Sequence, residues 1–191
     1  MTSMSPGSSP LRPKHRHSAS FSMSNKILRT VWRLTWLALA RPTPAPLHGW
    51  RRIVLRAFGA KIGRNVRIYP SSRIWLPANL CVGDDSIIGP GVECYNQGYI
   101  TIGKRVVVSQ RATLCASTHD IDDSLFPLIL RPIMIGDDAW VAAEAFVGPG
   151  VTIGEGSVLG ARAVAMTSLP SWQLFSGNPA VFLRNRKTSF E

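Results

Sequence analysis

The first 83 residues of this 191-residue chain contain no acidic side chain; the first is Asp84. Eleven of the 22 Lys and Arg precede Ile62, and from there on 11 basic residues meet all 11 Asp and Glu. The formal charge of +11 therefore belongs to an N-terminal extension, while the body of the chain is neutral. A neutral body gives no basic face with which to expect nucleic-acid binding. Cysteine is scarce. Cys81, Cys94 and Cys115 cannot all pair and show no CxxC spacing, which excludes a disulfide framework and a zinc ribbon and fits a reducing, cytoplasmic setting. Long apolar runs are missing as well. The most apolar early stretch, Val31 to Ala40, is interrupted by Arg33 and falls well short of the ~20 residues of a membrane span. Ending in Ala38-Leu39-Ala40 after a basic region, it gives the outline of a signal peptide, but the apolar core is too short for one.

What is present is enough apolar residue for a core: 45% of the chain is hydrophobic and only 17% charged, which argues against general disorder. Residues 1–25 are rich in Ser, Pro and basic residues and read as a disordered tail, with Met23 a second candidate start. Residues 26–60 read as a helical extension. Lys26 to Arg41 has helical spacing, with Lys26, Arg29 and Arg33 on one face and Ile27, Val31, Leu34 and Ala38 on the other, ended by the proline run 42–46. A second helix is expected from about Trp50 to Phe58, with Trp50, Ile53, Val54 and Ala57 inward and Arg51, Arg52 and Arg56 outward.

Residues 61–170 carry an internal repeat. Eight aliphatic-Gly pairs, from Ile62-Gly63 to Leu159-Gly160, use half of the 16 glycines. Steps of six connect Ile62, Ile68 and Ile74; Val82, Ile88 and Cys94; Ile102, Val108 and Leu114; and Ile135 through Val141, Val147, Ile153 and Leu159 to Ala165. Thirteen of these fifteen positions are Ile, Leu or Val, and a small residue or Val follows four later in fourteen. A period of six cannot be a helix face; it suits a parallel β-helix of about five coils, each hexapeptide a short strand plus a corner. In that reading the aliphatic points inward, glycine gives the turn its backbone freedom, and the two-residue slips before Val82 and Ile102 are corner insertions. The one large break is the loop 120–132, and residues 171–191 form a C-terminal segment.

The four histidines are His15, His17, His48 and His119, and His119 alone lies in the coil, at the mouth of the break. An imidazole there could serve as a base near neutral pH or could hold the loop by hydrogen bonds. Asp120 could orient it or cap a turn. Asp122, Asp123, Phe126 and Pro127 suit a lid, or a solvated loop. Cys115, four residues before His119, raises a covalent Cys-His alternative, although incidental cysteine is far commoner.

The repeat, with Trp50-Arg51-Arg52, Phe58-Gly59-Ala60-Lys61-Ile62-Gly63, Ser117-Thr118-His119-Asp120, Phe126-Pro127-Leu128, Arg131-Pro132-Ile133 and Gly177-Asn178-Pro179-Ala180, resembles the hexapeptide-repeat acyltransferases. Within them it is similar to the colanic-acid type of sugar O-acetyltransferase and to the maltose, galactoside and nodulation enzymes. The resemblance implies a mainly β fold, a left-handed parallel β-helix with a short N-terminal helical extension. It implies direct acetyl transfer from acetyl-CoA to a saccharide hydroxyl without a metal, with His119 as general base. Asn96, Asp120, Asp122 and Phe126 would meet the acceptor. Trp140 and the backbone around Ala142, Ala143, Gly160 and Ala161 would line the coenzyme groove, and Arg162, Arg184, Arg186 and Lys187 could meet its phosphates. Relatives form homotrimers with sites between chains, so His119 is expected to face Trp140 of another subunit.

A zinc enzyme of this fold needs three histidine ligands, which one coil histidine cannot supply. The competing class is a silent scaffold that uses residues 26–58 at a membrane surface, at the inner face of the membrane, or in a complex. The same segment suits capping of the open first coil, whose edge needs cover.

Overall fold

The computed structural model describes residues 21–187, so residues 1–20 of the expected tail and residues 188–191 lie outside it. The expected parallel β-helix is what forms. Its first face stacks Lys61–Ile62, Leu80–Val82, Ile100–Ile102, Ile133–Ile135 and Thr152–Ile153. The second stacks Arg67–Ile68, Ile87–Ile88, Val107–Val108, Trp140–Val141, Val158–Leu159 and Gln173–Ser176. The third stacks Arg73–Ile74, Glu93–Tyr95, Thr113–Cys115, Phe146–Val147 and Val164–Ala165. Five coils are complete. A sixth is begun by Leu169, which bridges to Ile153, and by Gln173–Ser176, so the coil runs on past residue 170. Val181–Asn185 then folds back antiparallel on that last strand.

All fifteen six-step positions are inward, none more than 7% exposed. Register aligns each with its counterpart one coil away, as in Ile62 with Val82 and Ile88 with Val108. Each such side chain contributes about 1.5–3 kcal/mol by burial, and the stack is stable only collectively. The slips fall at the corner between the third and first faces, as expected, the first of them as the 3-10 turn Pro77–Asn79. They lengthen strands of the first face by one more inward aliphatic, so that Leu80, Ile100 and Ile133 stack in register.

The glycines of the aliphatic-Gly pairs serve close approach rather than turn flexibility. At Gly83 a Cβ would lie 2.6 Å from the carbonyl carbon of Gly103, and at Gly136 2.6 Å from the nitrogen of Glu155. Left-handed backbone falls two residues later, on Asn65, Asp85, Arg105 and Asp138.

The first coil has no predecessor, and its downward carbonyls need other donors. In the second coil the equivalent carbonyls of Val82, Ser86, Ile88 and Cys94 accept backbone N–H groups of the first. In the first coil, Ile62, Val66, Ile68 and Ile74 accept instead from Arg56, Arg52, Arg51 and the Trp32 indole. The N-terminal helices thus cap the edge with side chains.

This role departs from the expected helix faces, although Val54 is buried and Arg56 exposed as expected. The first helix, α1 (Met23–Thr35), and the π-helical turn Trp36–Ala40 bury Trp32, Trp36 and Ala40. Ile27, Val31 and Leu34, expected inward, are 60%, 48% and 63% exposed. Two tryptophans one turn apart bury more area than the aliphatic stripe could, and only an indole also brings a donor for Ile74. In α2 (His48–Ala57) the buried residues are Arg51, Val54 and Leu55, while Trp50 and Ile53 are exposed. Arg51 is fully buried without a carboxylate. Its guanidinium donates to the carbonyls of Ile68, Pro44 and Ala45 and to the Thr43 hydroxyl, tying the proline turn to the coil. Burial pushes its pKa down from the ordinary value.

Candidate active site

The chain leaves the coil at the corner between the third and first faces. Ser117–His119 pairs antiparallel with Leu128–Leu130, placing His119 opposite Leu128. The break at 120–132 is therefore a hairpin rather than a loose loop. Asp120 N–H donates to the Pro127 carbonyl at 3.0 Å, and the tip turns through Phe126, whose N–H donates to the Asp123 carbonyl and whose φ is +52°.

His119 is half-buried. Its Nδ1 lies 2.9 Å from the Phe126 carbonyl oxygen, and its ring stacks on the Phe126 ring at 4.4 Å with the planes 8° apart. A carbonyl only accepts, so Nδ1 carries the proton and Nε2 keeps its lone pair. That is the tautomer a general base requires.

The structure redistributes several expected roles. Asp120 does not orient the histidine: its Oδ1 accepts from Asp122 N–H at 3.1 Å, the turn-capping alternative. Asp123 does the same for Leu125 N–H, and the Asp122 side chain is exposed. Phe126, expected to offer its ring to a sugar, spends that ring on His119. Asn96 is fully buried, its Oδ1 accepting from Trp75 and Leu76 N–H and its Nδ2 donating to the Leu76 carbonyl. Fully enclosed and bonded to main-chain groups at the corner, it acts as a corner residue. The Cys115 thiol donates to the Ser117 carbonyl at 3.3 Å.

The residues expected around the donor gather elsewhere. Trp140 is 45% exposed on the second face, its indole N–H donating to the Ser109 hydroxyl at 2.9 Å. Ala142 N–H and Gly160 N–H donate to the Leu159 and Phe175 carbonyls, stacking these residues at the corner between the second and third faces. Ala143 and Ala161 follow in the same turns, where Ala143 accepts from Arg162 N–H. Arg162 already has a partner, Glu144, at 2.6 Å, and Arg111 pairs with the same carboxylate. Arg184 is exposed and donates to the neighbouring Asn185 carbonyl; Arg186 donates to the carbonyls of Asp138 and Gly156. Within one chain, then, His119 and the Trp140–Gly160 column occupy different corners of the prism.

The family model for bacterial transferase hexapeptide repeats matches residues 132–164. WcaF of Escherichia coli strain K12, named as an acetyltransferase of colanic acid biosynthesis, is 43% identical over 166 residues, covering 87% of this chain and 91% of the relative. The chain belongs to the hexapeptide-repeat acyltransferase family.

Other members of that family agree with the fold. Galactoside O-acetyltransferase of E. coli K12 is 25% identical over 70% of this chain and 68% of its own. A hexapeptide-repeat acetyltransferase of Vibrio cholerae, solved in complex with acetyl coenzyme A, superposes with a TM-score of 0.78 at 25% identity, over 87% of this chain and 91% of that one.

As a hexapeptide-repeat acyltransferase, the chain has one feature near the hairpin that its sequence did not disclose. A cavity of about 460 Å³ lies at the hairpin base, between Leu130 and Pro132, the corner residues Gln97 and Tyr99, and Asn25 of α1. Gln97 Oε1 and Asn25 Oδ1 are buried there without a hydrogen-bond partner. Neither stands in a recognisable motif; the fold brings both to the lining of one cavity.

Proposed function

We propose that this protein is an O-acetyltransferase that moves acetyl from acetyl-CoA to a hydroxyl of a saccharide or polysaccharide precursor, with His119 as general base. The observation that carries this reading is the Phe126 carbonyl on Nδ1, which leaves Nε2 free to take a proton. As the acceptor oxygen attacks the thioester carbonyl, Nε2 removes its proton. The tetrahedral intermediate then collapses, the C–S bond breaks, and the imidazolium returns the proton to the departing thiolate. The Cys115 thiol is engaged by the Ser117 carbonyl at the start of the hairpin, which favours direct attack over an acyl-enzyme. The cavity at the hairpin base, beside the segment that carries His119, is the space that suits the acceptor.

The separation of His119 from the Trp140, Ala142 and Gly160 corner supports a homotrimer in which one subunit supplies the base and its neighbour the coenzyme groove. The V. cholerae and galactoside enzymes, solved with acetyl coenzyme A and coenzyme A, support the donor. The exposed Ile27, Val31 and Leu34 stripe, set in an acid-free basic segment, supports contact of residues 26–58 with an anionic membrane surface at the cytoplasmic side.

The test is thiol release from acetyl-CoA with nucleotide sugars, lipid-linked sugars and free oligosaccharides. Release that depends on one acceptor class is expected. No release above acetyl-CoA hydrolysis with any of them would overturn the reading.

A further inference from the structure

A second cavity, of about 480 Å³, lies on the other side of Trp75, which lines both. Four arginines line it: Arg29 and Arg33 from α1, Arg41 just past the π-helical turn, and Arg73 from the first coil. None of them has a salt bridge among the described residues, in contrast to Arg64, Arg105, Arg111 and Arg162. Glu93 is the one carboxylate in the lining, leaving a formal excess of three positive charges (four minus one). Trp36 also lines it; the residue is 8% exposed, and its indole N–H has no acceptor.

Unpaired guanidiniums around one space repel one another, and a buried N–H without an acceptor is disfavoured. An anion with several oxygens relieves the repulsion among the guanidiniums. Planar guanidinium forks match phosphate oxygens, and the charge excess suits a phosphate or diphosphate better than the single charge of a carboxylate. The aromatic wall helps, since Arg29 already lies 4.2 Å over the Trp75 ring and is held there in position. Trp75 lines both cavities, so they adjoin, and one ligand can place a saccharide in the cavity at the hairpin base and a phosphate in this one.

We propose that the arginine-lined cavity binds a phosphate or diphosphate group carried by the acceptor, so that the acceptor is a phosphorylated sugar, nucleotide-linked or lipid-linked, rather than a free one. This rests on the O-acetyltransferase reading for the acceptor but not for the anion site itself. The cavity is distinct from the residues assigned to the donor, all of which lie on later coils.

Two measurements on the full chain test it. First, inorganic diphosphate is titrated by calorimetry, without turnover. Binding is expected, weakened about 10-fold or more in Arg33→Ala/Arg73→Ala and unchanged in Arg64→Ala, which lies at another corner. Absence of binding, equal binding by the double variant, or competition by coenzyme A would each overturn the site. Second, thiol release is compared between a free sugar, the same sugar 1-phosphate, its uridine diphosphate form and its prenyl diphosphate form in neutral detergent. The KM is expected to fall at least 10-fold on phosphorylation, and the double variant to erase that difference. A further fall with the prenyl form alone identifies a lipid carrier, and with the uridine form alone a nucleotide; both uphold the phosphate chemistry. Equal KM for free and phosphorylated sugars overturns the acceptor assignment even if diphosphate binds. Absence of turnover with every acceptor, with diphosphate still bound, refutes the transferase reading and leaves the anion site standing.

Discussion

Phe126 touches His119 twice: its carbonyl oxygen stands 2.9 Å from Nδ1, and its ring lies 4.4 Å from the imidazole with the two planes 8° apart. One residue therefore sets both the tautomer and the tilt of the imidazole, and it does so from a left-handed backbone position at φ +52°. Aspartate 120, the next residue in the chain, has no part in either.

Replacing the imidazole separates catalysis from folding. His119→Ala is expected to lower kcat for acetyl transfer by about 10²–10⁴-fold, the usual contribution of a positioned general base. Thermal stability should change little, because the ring is only half-buried. Thiol release together with a melting curve checks this; a kcat unchanged by the substitution would refute His119 as base.

The Phe126 ring should act through position alone. Phe126→Asn keeps a residue that tolerates left-handed backbone, retains the main-chain carbonyl and removes the stacked ring. The expected result is a roughly 10-fold loss in kcat with the KM for acetyl-CoA unchanged, and less loss than in His119→Ala. Equal losses in kcat and coenzyme affinity would instead mean that the ring lines the donor groove.

Arg51 holds the proline turn against the first coil with donors to Ile68, Pro44, Ala45 and Thr43. Arg51→Met fills a similar volume but strands buried carbonyls, each of which costs about 1–3 kcal/mol unsatisfied. A loss of about 3 kcal/mol or more is expected by denaturant titration, against almost none for exposed Arg64→Ala. Arg51→Lys should restore only part, since an ammonium cannot span four acceptors in different directions.

The periodic part of this architecture was legible in the sequence because a six-residue period has few physical solutions, and every six-step position from Ile62 to Ala165 points inward. The helices were not, because α1 carries two apolar stripes. Periodicity finds both Ile27-Val31-Leu34 and Trp32-Trp36, and only the coil edge, with its unpaired Ile74 carbonyl, chooses between them. His119 was legible from its place at the break. The roles of Asn96 and Phe126 were not, since each depends on where main-chain groups of another segment lie. Asn96 reads as a sugar contact until Trp75 and Leu76 N–H groups are found on its oxygen.

Acid should loosen the corners before the core. Hydrogen bonds from Arg162 and Arg111 hold the Glu144 carboxyl below the usual glutamate pKa, and Arg64 and Arg105 do the same for Asp84 and Asp138. A depressed folded-state pKa gives stability that is present above the unfolded-state value and lost as pH falls through the folded-state value. The melting temperature is therefore expected to fall with pH below the ordinary carboxylate range, and Glu144→Gln to flatten that dependence. High salt should shrink the effect, since these pairs are largely exposed.

The outward face of α1 gives the last expectation. Ile27, Val31, Leu34 and Leu37 are 48–63% exposed on a segment with no acid, and a second copy of the same segment would meet it with like charge. An anionic lipid surface offers both an apolar layer for the stripe and countercharge for the flanking Lys26, at about 1 kcal/mol per basic residue near the surface. Binding is expected to phosphatidylglycerol-containing vesicles and not to pure phosphatidylcholine, falling as salt shortens the Debye length below about 10 Å. Ile27→Asp/Leu34→Asp should abolish it without shifting the melting temperature, because neither side chain packs on the coil. Vesicle flotation of the full chain decides the matter, with light scattering alongside. Failure to float at low salt, or a double variant that leaves flotation intact but breaks an oligomer, would assign this stripe to a protein contact.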